Sequence, residues 1–220
     1  MHNKKKVAVY VDGFNLYHGL VNLSKPYLKW LNLHSLAEKF IDTRTESIEK
    51  IYYFSAIATF MDRDTISRHR TYIEALETMG IEFVEGNFKN KLLTYKNKHL
   101  EFKWKKHEEK ETDVNISIYM VRDAIKGIYD KFILITNDTD IVPAVKMARQ
   151  ENRTLQFKLL TPPTLEEYDS LLNAIKPGTS AKLTIGHIQH SLLPEKITKS
   201  NGKIISVPNQ YREMASKTFK

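Results

Sequence analysis

Short apolar runs alternate along the chain with longer segments in which apolar residues recur every three or four positions. The runs are rich in β-branched and aromatic residues and are uninterrupted, which is typical of strands covered on both faces of a sheet. We predict strands at residues 7–11, 51–56, 81–85, 132–136 and 155–160. We predict amphipathic helices at residues 33–41, 64–79, 113–128, 141–150 and 165–175. This alternation predicts an α/β fold with a mainly parallel central sheet and right-handed crossovers.

Two parts of the chain depart from the alternation. Residues 92–95 and 99–104 flank Lys96-Asn97-Lys98 and predict a β-hairpin, an insertion that covers about residues 88–108. After Pro177-Gly178 the regular pattern stops. We therefore predict one domain over residues 1–178 and a C-terminal helical or extended arm over residues 179–220 that packs on it.

Composition excludes several kinds of site. The chain has no cysteine, so it has no disulfide, thiolate zinc site, iron–sulfur cluster or cysteine nucleophile. No apolar run approaches the roughly 20 residues that span a bilayer. The basic Lys4–Lys6 precedes an apolar run that stops at Asp12, which is too short for a signal peptide. We expect a soluble, cytoplasmic protein that does not bind membranes.

Acidic residues cluster at the ends of predicted strands. Asp12 follows the first strand, Asp138 and Asp140 follow the fourth, and Asp113 begins a strongly amphipathic helix. Ligands of open α/β sheets bind outside the carboxyl ends of the strands, where these four acids would meet. Such a group suits Mg²⁺ or Mn²⁺, which prefer oxygen ligands. Asp12 alone or Asp113 alone is more typical of a turn or a helix cap, and the pair Asp138 and Asp140 is a stronger signal, although Asp140 could also cap the next helix. It is the combination that favours a metal site.

The predicted hairpin is strongly basic. Residues 88–110 contain eight lysines and three glutamates, a net charge of +5. The candidate nucleic-acid ligands are Lys96, Lys98, Lys103, Lys105 and Lys106, which would neutralise backbone phosphates. Strand alternation places Phe102 and Trp104 on the face opposite Lys103 and Lys105, which favours packing of the rings on the body over stacking on bases. The alternative is a solvated edge whose lysines prevent sheet-to-sheet pairing.

Other recognisable motifs are missing. The chain has no GxGxxG fingerprint, no GxxxxGK[ST] loop and no GxSxG elbow, so dinucleotide, P-loop and serine-hydrolase sites lack support. A phosphatase or phosphoacceptor that uses Asp12 as its nucleophile remains an alternative. It is disfavoured because position 14, where a second acid would be expected, is Phe.

Three motifs together resemble those of NYN-domain proteins, a branch of the PIN-like metal-dependent nucleases. They are YVDGFNL at residues 10–16, ETDV at residues 111–114 and TNDTDIVP at residues 136–143. Asn137 and Thr139 depart from the small residues that are commoner there, but both carboxylates are kept. Residues 190–194 (HSLLP) resemble a tail of bacterial members.

The resemblance implies a PIN-like three-layer α/β/α sandwich, with the inserted hairpin and the C-terminal arm as additions. It implies metal ligation by Asp12, Asp113, Asp138 and Asp140, with Asp140 acting through water. Asn15 would lie at the edge of the site, and Thr136 would orient an outer water. The implied cofactor is Mg²⁺ or Mn²⁺.

The function implied is that of a ribonuclease, endonucleolytic on single-stranded or structured RNA. The choice of RNA over DNA rests on the resemblance, and so does the expectation of a homodimer. The alternative is an RNA-binding or regulatory module that binds through the basic hairpin and no longer cuts.

Overall fold

The computed structural model describes residues 4–96 and 101–212, and the side chains of all of these except 95, 96 and 101. Its strands are β1 (Lys5–Asp12), β2 (Glu46–Ser55), β3 (Glu82–Glu85), β4 (Asn87–Lys96), β5 (Glu101–Lys110), β6 (Lys131–Ile135), β7 (Gln156–Thr161), β8 (Thr179–Lys182), β9 (Lys196–Thr198) and β10 (Ile204–Ser206). Its α-helices are α1 (Gly13–Val21), α2 (Leu33–Glu38), α3 (Arg63–Thr78), α4 (Thr112–Lys126), α5 (Val142–Glu151), α6 (Asp169–Ile175) and α7 (Ile185–Gln189). Short 3-10 turns cover Pro26–Lys29, Thr139–Ile141 and Asn209–Tyr211.

The central sheet has six strands in the order β3-β2-β1-β6-β7-β8, and every neighbouring pair is parallel. The chain builds the sheet outward from β1 in one direction and outward from β6 in the other. The strand order therefore reverses between β1 and β6, and a crevice at their carboxyl ends is where open α/β sheets bind ligands.

Both faces of the sheet are covered by helices. Val7, Val9 and Val11 of β1 face a core built with α1, α2 and α3, while Ala8 and Tyr10 face a core built with α4, α5 and α6. This burial on both faces explains why β1 and β6 are continuous apolar runs. The predicted three-layer α/β/α sandwich is confirmed.

Three elements differ from the predicted pattern. Helix α1 follows β1 without a loop and is not among the predicted helices. Helix α6 starts at Asp169 and not at residue 165, after Pro162, Pro163 and a Thr164 with a φ of 65°. Strand β8 completes the sheet beside β7, although its sequence, TSAK, has no apolar run. It is an edge strand, and an edge strand needs less apolar sequence than a buried one.

The predicted hairpin is confirmed and is longer than predicted. Strands β4 and β5 pair antiparallel as a separate ribbon, from Asn87 opposite Lys110 to Lys96 opposite Glu101. Lys98 lies outside the described residues, as does the side chain of Lys96.

Residues beyond 178 pack on the same body. The Trp30 indole Nε1 donates to the Pro194 carbonyl at 2.9 Å, and the Leu193 amide donates to the Trp30 carbonyl at 2.9 Å. Leu183, Ile188 and Leu193 are buried in the core beside α1, α2 and α3. Across residues 4–96 and 101–212, no helix combines the length and the apolar character needed to cross a membrane.

Candidate metal centre

Asp12 is the buried centre of the site. It ends β1 at the strand-order reversal, and only 1% of it is exposed. Its Oδ1 accepts from the Asn15 amide at 3.0 Å, which makes Asp12 the N-cap of α1. Its Oδ2 accepts from the Asn15 side-chain amide and from the Thr136 hydroxyl, the latter at 2.9 Å. The fold thus supplies three donors to a carboxylate that has almost no contact with water.

Burial nevertheless controls the protonation of Asp12. Desolvation raises the pKa of this carboxyl from 3.8 to about 7, and Asp113 and Glu109 add to the rise. The hydrogen bonds from Asn15 and Thr136 oppose it and are too weak to cancel it. Without a cation the site therefore carries a proton that it would exchange near neutral pH.

Asp113 and Asp138 come to Asp12 from two other segments. Asp113 lies in the first turn of α4, which Glu111 opens in the left-handed conformation with a φ of 77°. Asp138 lies in the loop after β6. One carboxylate oxygen from each of the three acids lies within 4.8 Å of the others. This spacing is close enough for one cation to contact all three carboxylates.

Thr136 connects two of these acids. Its hydroxyl donates to Asp12 and accepts from the Asp138 amide at 2.9 Å, and it is 2% exposed. Thr136 therefore fixes both carboxylate-bearing segments through one oxygen. The family resemblance predicts that Thr136 orients a water, whereas in the structure its hydroxyl contacts Asp12 directly. Asn15 is half-buried beside Asp12.

Asp140 does not join the three-carboxylate cluster. It is exposed, and its amide donates to Asp138 Oδ1 at 2.8 Å, so Asp138 caps the turn that contains it. Its charge still acts on the site: burial raises the pKa of Asp113, and the charges of Asp138 and Asp140 raise it further. Of the four predicted acids, the structure brings three together and places the fourth at their edge.

Glu109 is an acid of the site that is not among the residues predicted from the sequence. It lies near the end of β5, and its carboxylate accepts from the Thr112 hydroxyl at 2.7 Å. Burial is the main cause that raises its pKa, and the charge of Asp113 contributes. Glu109 lies in a lysine-rich segment, so its place in the sequence does not indicate an acidic site. It adjoins the cluster because β5 leads directly into α4.

The acids open into a pocket of about 350 Å³ between the sheet edge and the base of the hairpin. Phe14 forms part of its wall and is 43% exposed. The other lining residues are Asp12, Asn15, Phe88, Lys106, His107, Glu108, Glu109, Lys110, Thr112, Asp113 and Asp138. Negative charge therefore lies at the bottom of the pocket, and Lys106 and Lys110 lie on its wall.

The hairpin lysines divide between its two faces. Lys106 lies on the same face as Trp104, while Lys103 and Lys105 lie on the opposite face. The prediction that the aromatic face packs on the body is wrong: Phe102 is 57% exposed and Trp104 40% exposed. The hairpin base does pack on the body, since His107 stacks on Phe60 with ring centroids 3.6 Å apart.

Comparison with known proteins identifies the family of the chain. The NYN domain family model matches residues 6–174. Over 175 residues the chain is 33% identical to 6-hydroxy-3-succinoylpyridine 3-monooxygenase of Pseudomonas putida. The aligned segment covers 66% of this chain and 55% of that protein. The chain thus spans about half the length of the curated relative that it matches.

A structural comparison extends over nearly the whole fold. A protein of unknown function from Vibrio parahaemolyticus superposes with a TM-score of 0.57 at 15% identity, covering 88% of this chain and 99% of that one. This likeness supports the PIN-like α/β fold. The family match spans most of the chain and includes Asp12, Asp113 and Asp138, so the chain belongs to the NYN domain family.

Proposed function

We propose that the protein is a metal-dependent ribonuclease that hydrolyses internal phosphodiester bonds of RNA. The observation that carries the proposal is the cluster of Asp12, Asp113 and Asp138 at the strand-order reversal of an NYN-family fold. Three carboxylates this close repel one another, and a divalent cation removes that repulsion.

The donor set fits Mg²⁺ or Mn²⁺. The cluster offers only carboxylate oxygens, which these hard cations prefer, and no cysteine exists in the chain to favour a softer metal. Asp12, Asp113 and Asp138 would hold the ion. When bound, such an ion neutralises phosphate oxygens and lowers the pKa of water.

The protein's own groups position the substrate and the carboxylates. Thr136 and Asn15 hold Asp12 in one orientation, so the carboxylate needs no rearrangement when it ionises. Lys106 and Lys110 on the pocket wall would pair with backbone phosphates on either side of the cut. Glu109 and Asp140 add negative charge around the three carboxylates, which favours cation binding at the pocket floor.

The experiment is cleavage of labelled RNAs and DNAs in EDTA, Mg²⁺ and Mn²⁺, with wild type beside Asp12→Asn and Asp138→Asn. We expect metal-dependent cutting of RNA that falls by about 1,000-fold or more in both variants, since metal catalysis is worth several kcal/mol. Glu151→Gln is the matched control, because Glu151 is an exposed acid at the end of α5. If the protein binds RNA without cutting it, and binding is unchanged in both Asp variants, the nuclease proposal is refuted and the non-catalytic RNA-binding module is favoured.

A second candidate function comes from the Pseudomonas putida relative, which is named for the monooxygenation of a pyridine. The pocket volume of about 350 Å³ lies in the range of small-molecule sites, and the aromatic Phe14 and Phe88 line it. Oxygen uptake with 6-hydroxy-3-succinoylpyridine and a reduced nicotinamide as electron donor tests this function. If Asp12→Asn abolishes oxygen uptake and wild type does not cleave RNA, the monooxygenase function would replace the nuclease proposal.

A further inference from the structure

Two large aromatic side chains of the hairpin lie on its surface. Phe102 and Trp104 stand two residues apart on β5, on one face, with ring centroids 5.7 Å apart and planes inclined by 24°. They are 57% and 40% exposed. Adjacent exposed rings of this size are unusual on a soluble surface unless they bind something.

The face that carries these rings continues into the acidic pocket. Alternation along β5 puts Phe102, Trp104, Lys106, Glu108 and Lys110 on one face. The last three of these line the pocket. This row of side chains therefore runs from the rings to the wall of the pocket that contains Asp12, Asp113 and Asp138.

The charges beside the rings favour an anionic ligand. Lys91 and Lys106 lie directly opposite each other across the ribbon, one same-face position from Trp104. Like charges in this position repel. Glu108 offsets them only in part, because it lies 3.6 Å from each of these lysines and 3.2 Å from Lys110. A phosphate backbone along this face would offset the remaining repulsion.

We propose that this face of the hairpin is a base-stacking site for single-stranded RNA, with unpaired bases on Trp104 and Phe102 and phosphates on Lys91 and Lys106. The inference rests on the proposed function, since it takes RNA as the substrate of the pocket. Stacking on a protein ring needs an unpaired base, because the faces of duplex bases are already stacked. The site therefore selects single strands beside the cut.

The strand length sets the size of the bound segment. Lys110 lies six positions after Trp104, which is about 20 Å along a strand. At about 3.4 Å for each fully stacked nucleotide, the largest number of nucleotides that fits this distance is about six. Bases placed on Phe102 and Trp104 are spaced more widely, because the two rings are 5.7 Å apart. RNA should therefore need an unpaired segment of at most about six nucleotides on one side of the cut for full binding and rate.

Tryptophan fluorescence provides the binding test. The chain has two tryptophans, and Trp30 is 2% exposed, so a ligand-dependent change in emission reports Trp104. In EDTA, we expect oligo(U) RNA of eight nucleotides to quench the emission and a blunt RNA duplex to leave it unchanged. Trp104→Phe should lose the signal yet bind in a filter assay, whereas Trp104→Ala should bind about 5- to 150-fold more weakly. Equal quenching by the duplex, or none by oligo(U), would overturn the proposal.

Cleavage separates this proposal from the nuclease assignment. Substrates carry one cut site beside a duplex, with unpaired segments of two to ten nucleotides. We expect the wild-type rate to rise with segment length and to level off at or below about six nucleotides. We expect Trp104→Ala to lose this dependence. Leu92→Ala is the matched control, since Leu92 is 62% exposed on the opposite face of the same ribbon.

The outcomes of the two tests are distinct. Cleavage that ignores segment length and Trp104 would refute the stacking site and leave the nuclease. Quenching by oligo(U) with no cleavage of any RNA would refute the nuclease and leave the stacking site as that of an RNA-binding protein. Single-stranded DNA in parallel measures whether the site distinguishes the sugar.

Discussion

Burial of the Asp12 carboxylate predicts that the metal-free protein loses stability as the pH rises. Below pH 3.8 this group is protonated in both the folded and the unfolded chain and has no effect. Between 3.8 and the folded pKa of about 7, only the unfolded chain releases the proton, so the free energy of unfolding falls with pH. At 1.36 kcal/mol for each pKa unit, the free energy of unfolding falls by about 4 kcal/mol in total, and the fall is complete above pH 7.

Asp12→Asn removes this pH-dependent loss, because an amide does not ionise. The variant loses part of the hydrogen bonding, because its side-chain NH₂ group faces donors from Asn15 or Thr136. This loss costs about 1–2 kcal/mol. We therefore expect metal-free Asp12→Asn to exceed wild type by about 2–3 kcal/mol at pH 8, or roughly 5–10 °C in melting temperature. At pH 4.5 the variant should be equal or less stable.

Urea unfolding in EDTA from pH 4.5 to 8.5 measures both proteins. Other acids titrate as well, so the difference between wild type and variant is the quantity that isolates Asp12. Mg²⁺ at 100 times its dissociation constant should restore about 2.7 kcal/mol to wild type at pH 8 and little to the variant. A wild type minus variant difference that stays constant with pH would refute the reasoning, and Glu151→Gln should follow wild type throughout.

Three further predictions test the support around the site. Thr136→Val should weaken Mn²⁺ binding about 10- to 100-fold, because Asp12 loses a donor and the Asp138 amide loses its acceptor; unchanged Mn²⁺-induced thermal stabilisation would contradict this. Gly13→Ala should cost about 1–3 kcal/mol in urea unfolding, because a Cβ there would lie 2.7 Å from the carbonyl oxygen of residue 54. Gly186→Ala, where the nearest atom is 3.8 Å away, should change stability by less than about 0.5 kcal/mol, and equal losses would refute the steric reason. Lys131→Met should lower the free energy of unfolding by about 3–5 kcal/mol at pH 7, because it removes the cation that pairs with the buried carboxylate of Glu46 on β2. Adding Glu46→Gln to this variant should recover much of the loss.

Much of the fold and of the acid cluster was accessible from sequence because both follow from strand periodicity. Continuous apolar runs identified β1 and β6, and parallel strands place their carboxyl ends at one edge. Asp12 and Asp138 follow those two runs, so their proximity was predictable without coordinates. Asp113 was predictable from a helix start and a family motif.

What the sequence could not show depends on contacts between segments that no periodic pattern encodes. Glu109 joins the site because Glu111 adopts a left-handed conformation between β5 and α4. Asp140 lies at its edge because a 3-10 turn follows Asp138. The exposure of Trp104 depends on how the ribbon leaves the body at its base, where His107 stacks on Phe60.

The same burial links stability, protonation and cation binding at this site. Asp12 is held by donors that orient its oxygens, yet these donors do not compensate for its removal from water. A bound cation can offset the desolvation cost that these donors leave uncompensated. Below pH 7 the cation must displace the proton of Asp12, whereas above pH 7 it only neutralises the repulsion among the carboxylates. An exposed aspartate would bind a cation with little change in stability. The buried one ties metal binding to the folded state, because only folding brings Asp113 and Asp138 within reach of Asp12.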